Sequence, residues 1–385
     1  MLDAVVGFIK IAILIIPVLG LVVVIHELGH YWAGRFFGAA AESFSFGFGN
    51  SIFETTDKRG TRWRINSLPF GGFVSFIQKD ENGQFLDPRH AEIVGLPLKE
   101  VSKFGRAVIY AAGPLANFIL TTLLFAVMIW SNGEQVHKLT IVELTDEPAI
   151  SAGFEPGDVF LAVNGVPIET QGAFQEKIAL SSNTELTMTV ERDGIEQDIL
   201  VTPARSEMTI NGQTVKLGKL GVSYRPELTE IVQHSPLTAL VYGVEQTGVR
   251  LEMTANVLGR IVTGREPIGL LSGPVAIGDT TRRIVDQTMS IEQTPLSDRL
   301  VALFWQFLFM SAVVSVGVGF INLLPLPVLD GGHLAMLAYE AVTGSEVPEQ
   351  VQGAIMMGGF ALIVGLFVVI TGGDIVETGL LTGQG

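Results

Sequence analysis

His26-Glu27-Leu28-Gly29-His30 closes the apolar run Ile11–Ile25 (IAILIIPVLGLVVVI), and this junction decides how the chain is read. On a helix, positions i and i+4 share one face about one turn apart, so two imidazoles can reach a single metal ion. Glu27 sits between them, placed to take a proton from a water at that metal. An HExxH pattern also arises by chance in unrelated proteins. Here three ionisable side chains end an apolar span, where they are costly unless they face a polar cavity or a metal.

Working outward, a hydrocarbon core about 30 Å thick needs about 20 mostly apolar residues in a helix. Four stretches qualify: Leu2–Ile25, Arg106–Trp130, Leu300–Leu324 and Val351–Thr371. The first reads as a retained helix and not a signal peptide, because Lys10 is the only cation before Arg35 and no small-residue cleavage site follows the apolar run. Composition agrees: of 385 residues 48% are hydrophobic and 16% charged, with mean hydropathy +0.44, against about 25% charged in an ordinary soluble domain. The net charge of −15 argues against a nucleic-acid partner. The absence of cysteine excludes disulfides, thiolate metal sites and cysteine nucleophiles.

A catalytic zinc usually has three protein ligands and an open position. The remaining histidines are His90, His137, His234 and His333, but the strongest region is Asn322-Leu323-Leu324-Pro325-Leu326-Pro327-Val328-Leu329-Asp330-Gly331-Gly332-His333. Two prolines two residues apart cannot continue a helix, and non-helical backbone at membrane depth must line a cavity or be buried in protein. This segment therefore interrupts the end of the third span and delivers Asp330 to an interior site. A helix N-cap is the other reading of Asp330. His333 reads as structural or as a support for the ligands. Asn322 could bond a substrate carbonyl or oxyanion, or serve helix packing. Gly113-Pro114-Leu115-Ala116-Asn117 interrupts the second span. There Asn117 reads as a hydrogen bond across a helix interface in preference to a substrate contact.

HELGH at 26–30, GPLAN at 113–117 and NLLPLPVLDGG at 322–332, in that order, resemble the site-2 protease family of intramembrane zinc metalloproteases, in particular the bacterial regulator-of-sigma-E protease type. The resemblance implies Zn²⁺ held by His26, His30 and Asp330, with Glu27 as general base. It also implies an active site facing the cytoplasm below the surface of a bacterial inner membrane. The implied substrates are single-span membrane proteins already shortened by another protease, anti-sigma factors or remnant signal peptides among them. Charge agrees with that orientation: residues 31–106 carry 10 Lys/Arg and residues 131–300 carry 13 in a much longer stretch, so the first loop is the cytoplasmic one and both termini lie outside.

The expected architecture is a polytopic α-helical membrane protein with four transmembrane helices, a membrane-associated β-hairpin region and one inserted PDZ-like α+β domain. Its segments are 1–35 (first helix with HExxH), 36–105 (hairpin and loop), 106–130 (second helix), 131–227 (PDZ-like), 228–299 (amphipathic connection), 300–334 (third helix with PxPxLDGG) and 335–385 (fourth helix and tail). The hairpin rests on Phe44, Phe46 and Phe48 alternating with small or polar residues, and on Trp63 and Ile65 alternating with Arg62 and Arg64. By resemblance this sheet dips into the membrane and pairs with an unwound substrate. A small cytoplasmic subdomain or an interfacial anchor is the plainer reading. The PDZ-like reading rests on Gly153-Phe154-Glu155-Pro156-Gly157-Asp158, the strand VFLAV and the turn Asn164-Gly165. Such a domain binds extended peptide at a sheet edge or filters bulky substrates, and it lies on the outer, periplasmic side. The rival functions are a non-enzymatic PDZ receptor or scaffold with a structural metal, and a metal-linked transporter. Glu27 favours the enzyme, since a structural site has no use for a base.

Overall fold

Helix α1 (Leu2–Phe36) leads into strands β1 (Ala41–Thr56) and β2 (Arg62–Phe76) and then helix α2 (Lys103–Asn132). Next come β3 (Glu134–Leu144), α3 (Glu147–Ala152), β4 (Val159–Val163), β5 (Val166–Pro167), α4 (Gln171–Leu180), β6 (Leu186–Arg192), β7 (Ile195–Val201), β8 (Ala204–Ile210), β9 (Gln213–Lys219) and β10 (Val222–Val232). Helices α5 (Pro236–Val262), α6 (Pro274–Met289), α7 (Leu296–Asn322), α8 (Asp330–Thr343) and α9 (Glu349–Glu377) complete the chain. This computed structural model describes residues 2–79, 83–168, 171–210, 213–264, 273–291 and 294–377. It divides into two units, one of Met1–Met128, Leu240–Gly259 and Leu271–Gly385, the other of Ile129–Ala239 and Arg260–Leu270.

Four helical stretches among the described residues are long and apolar enough to cross a membrane: Ile15–Phe36, Lys103–Asn132, Leu296–Asn322 and Gln350–Ile375. Lipid tails offer helices no hydrophobic reason to associate, so small and hydroxylated residues do the joining. Thr121 Oγ1 on α2 donates to Ala312 O on α7 at 3.1 Å, and Ser315 Oγ on α7 donates to Asn117 O at 2.9 Å. Helix α2 runs unbroken through Pro114. Helix α7 stops at Asn322, and the chain turns through the two prolines before α8 begins. In this turn Val328 has φ 80°, a left-handed conformation that strains a β-branched residue.

Strands β1 and β2 run antiparallel where Ser43–Phe46 face Gly72–Ser75 and where Phe53–Thr56 face Arg62–Ile65, and their register is double: Ser43–Phe46 also lie beside Arg62–Ile65, there running in the same direction. The stretch 62–65 therefore lies between two parts of β1, and among the described residues the segment 72–76 is a sheet edge. The sheet is rooted on α1 through Tyr31, Phe44 and Trp63, with Phe44 stacked on Trp63 at 4.7 Å. Asp57 in the turn accepts from the amides of Arg59 and Thr61 (2.8 and 3.0 Å) and from Arg35 Nη2 of α1 (3.1 Å).

The second unit holds a sheet in the order β10-β3-β4-β6-β7, with β5 beside β4, and a separate β8–β9 hairpin. Alternation in β6 buries Leu186, Met188 and Val190 against Leu139, Ile141, Phe160 and Phe174. Asp158 is buried and takes Arg192 Nε at 2.7 Å, which ties the turn before β4 to the end of β6.

Burial works to raise the Asp57 carboxyl, but the amides of Arg59 and Thr61, the Trp63 indole and the Arg35 guanidinium outweigh it and hold Asp57 below the usual carboxylate range. A depressed folded value contributes stability above the ordinary carboxylate pKa of about 3.9, lost as pH falls through the lower folded value. Asp57→Asn should loosen the turn by about 1–3 kcal/mol at neutral pH, read as faster hydrogen exchange at the Arg59 and Thr61 amides. As pH falls through that lowered folded value the wild type should approach the variant.

Candidate metal centre

The four-residue spacing on α1 brings His26 and His30 to one face, with ring centroids 4.8 Å apart and planes at 80°. Both are buried. Their Nε2 atoms are 3.1 Å apart, and Asp330 Oδ2 lies 3.1 Å from His26 Nε2 and 3.4 Å from His30 Nε2. Among the described residues this is the one cluster of three or more such groups able to share a metal ion. A tetrahedral centre with bonds of about 2.0–2.1 Å spaces its ligand atoms about 3.3 Å apart, and the three observed separations bracket that figure. Asp330 Oδ2 is buried without a hydrogen-bond partner, as expected of an oxygen reserved for a cation. Asp330 is the first residue of α8 and makes no capping bond; the cap position belongs to Leu329. The N-cap reading of Asp330 therefore falls.

The outer ring nitrogens are held by α2. His30 Nδ1 donates to Ile109 O at 2.7 Å, which leaves the Nε2 lone pair free for a metal. His26 Nδ1 lies 3.2 Å from the Asn117 carboxamide, whose buried Oδ1 has no other partner. With the amide turned so that Oδ1 accepts from Nδ1–H, both requirements are met at once: the oxygen is satisfied and His26 Nε2 is free. Asn117 thus bonds across a helix interface, and the group it meets is a candidate ligand. A β-carbon at Gly113 would run into both Nε2 atoms, so glycine here is what lets α2 pass behind the imidazoles. Gly331 and Gly332 likewise lie against the carbonyls of Leu323, Leu324 and Leu326, where a side chain would push α8 off the turn.

Glu27 faces a cavity of about 660 Å³ together with His26, His30, Asp330, Asn322 and the edge segment 71–76. Its Oε2 accepts from the Val74 amide at 2.8 Å. Asn322 ends α7 on the cavity wall, and His333, also on that wall, stands outside the ligand cluster and stacks on Tyr110.

Residues 14–366 of the chain match peptidase family M50. The chain belongs to this family, that of the site-2 proteases. It is 35% identical over 387 residues to metalloprotease MmpA of Caulobacter vibrioides, with 96% of each chain covered. It is 28% identical over 433 residues to zinc metalloprotease RasP of Geobacillus kaustophilus, with 94% of this chain and 96% of that one covered. With four apolar helices, this M50 peptidase is a multi-pass membrane protein.

Sequence reasoning missed several parts of the M50 site. The Ile109 carbonyl and the Val74 amide are backbone groups and leave no mark on residue identity. Tyr110 had a signal, since Arg106, Tyr110, Gly113 and Asn117 recur at helical spacing as a polar-and-small stripe in an apolar span. Asn117→Ala should weaken metal affinity about 10–100-fold, and Gly113→Ala should weaken it more, both measured by competition with a chelating indicator. Unchanged affinity in Gly113→Ala would contradict the packing.

Proposed function

We infer that this M50 peptidase is a zinc metalloprotease that hydrolyses peptide bonds in or near the transmembrane segments of single-span membrane proteins. The convergence of His26 Nε2, His30 Nε2 and Asp330 Oδ2 carries the reading. His26, His30 and Asp330 would hold Zn²⁺, with the ligand types and spacing of a catalytic site. When bound, zinc supplies Lewis acidity toward water and the scissile carbonyl. Glu27 takes a proton from the attacking water, the water oxygen bonds to the carbonyl carbon, the C–N bond breaks, and Glu27 returns the proton to the leaving amine. The Val74 amide fixes one oxygen of Glu27 and leaves the other for this work. The Asn322 carboxamide offers a donor to the carbonyl oxygen.

The segment 72–76 supports the proposed handling of substrate. A transmembrane helix hides its peptide bonds in its own hydrogen bonds, and an edge strand beside Glu27 can hold such a chain extended. The exposed Phe48, Ile52 and Phe53 of the same sheet suit contact with lipid. Anti-sigma factors and remnant signal peptides are the substrate classes we favour. The sheet-and-helix unit is read as a PDZ-like domain on the outer side of a bacterial inner membrane, binding peptide or filtering substrates by size, with the metal site toward the cytoplasm.

Glu27→Gln should retain one zinc per chain and lose cleavage of a single-span substrate by at least about 10³-fold. Asp330→Ala should lose both zinc and cleavage. Undiminished cleavage by Glu27→Gln would overturn the reading and favour a receptor or scaffold with a structural metal.

A further inference from the structure

We propose that His333 is a substrate-contacting residue, its imidazole donating a hydrogen bond to the carbonyl oxygen of the bond under attack, in a plane fixed by Tyr110. This rests on the hydrolytic reading above. His333 follows Asp330 by three residues on α8, so the two side chains share a face, and it lines the same cavity as Glu27 and Asn322. Its ring lies flat on Tyr110, with centroids 4.9 Å apart and planes at 11°. A flat stack fixes a ring without using its nitrogens. Among the described residues, the His333 nitrogens enter no hydrogen bond or ion pair. By contrast, His26 and His30 each commit Nδ1 to α2, and His234 pairs with Glu134 at 2.8 Å.

The register that makes the stack is held separately. Arg106, one turn before Tyr110 on α2, donates to Glu340 Oε1 of α8 at 3.1 Å, and Lys103 pairs with the same carboxylate at 3.2 Å. Helix α8 is therefore pinned to α2 near its far end, while its first turn presents Asp330 and then His333 to the cavity. A neutral imidazole keeps one N–H, so it can serve as a donor without a change of charge. Negative charge grows on the carbonyl oxygen as water adds. A fixed donor aimed at that oxygen strengthens in the transition state and acts on kcat, not on substrate binding. With Asn322 ending α7 on the same wall, the carbonyl oxygen meets donors from two helices.

The test uses the full-length protein in lipid nanodiscs with a single-span reporter substrate and compares His333→Phe with His333→Gln. Phenylalanine keeps the stack and removes the donor; glutamine keeps a donor and removes the ring. His333→Phe should lose about 10²-fold in kcat with KM within about twofold and one zinc still bound. His333→Gln should keep at least a tenth of the wild-type kcat. Wild-type kcat in His333→Phe would overturn the proposal. So would zinc loss in His333→Phe, or equal loss of kcat in both variants with zinc retained, since either outcome makes the ring a packing element. If the zinc-loaded wild type leaves the reporter intact, or Glu27→Gln cleaves it, the hydrolytic reading itself fails and this proposal falls with it.

Discussion

Two imidazoles from the first apolar helix and a carboxylate from the far end of the chain bring three candidate ligand atoms within 3.1–3.4 Å of one another. Without a cation this is a poor arrangement. Two lone-pair nitrogens and a carboxylate oxygen crowd together in a buried place, and Asp330 Oδ2 lacks a hydrogen bond. Much of the first unit can be understood as what is needed to hold that crowd in place. Helix α2 passes behind the imidazoles at Gly113, fixes their outer nitrogens through Ile109 O and Asn117, and is clamped to α7 by Thr121 and Ser315.

The carboxylate needs a different device, because it is delivered by the non-helical turn between α7 and α8. Ending α7 at Asn322 and restarting at Asp330 leaves carbonyls that a continuing helix would have bonded. Within the turn Leu324 O accepts from the Leu326 amide at 2.7 Å and Leu326 O from the Leu329 amide at 3.1 Å; the carbonyls of Leu323 and Leu324 lie against Gly331 and that of Leu326 against Gly332. The strain at Val328 sits within this turn, on the cavity wall. A backbone held in a sparsely populated conformation beside a reactive centre must be over-determined by its surroundings. Here the pinning of α8 to α2 through Glu340, Arg106 and Tyr110 supplies that determination.

What could be read from the residues alone follows a physical division. Spans are legible because lipid imposes a length and a composition, and HELGH is legible because a helix repeats every 3.6 residues. The two prolines near Asp330 announce broken helix. Which side chain the break delivers, and to what, depends on a contact between residues 26 and 330 that no local pattern encodes. Asn117 illustrates the limit: its polar character in an apolar span announced a hydrogen bond across helices, but the ring of His26 as partner came only with the fold. The hairpin was visible in alternation at Phe44–Phe48. Its double register, which leaves 72–76 as an edge beside Glu27, was not, because pairing between residues this far apart in the chain is a tertiary choice.

The central claim is that His26, His30 and Asp330 share one zinc ion. Zinc K-edge X-ray absorption on the purified full-length protein tests it most directly. The account predicts about one zinc per chain, two imidazole nitrogens at about 2.0–2.1 Å, and the rest of the shell filled by oxygen at about 2.0–2.2 Å. A shell of three or more imidazoles, or a protein that binds no zinc, would contradict it.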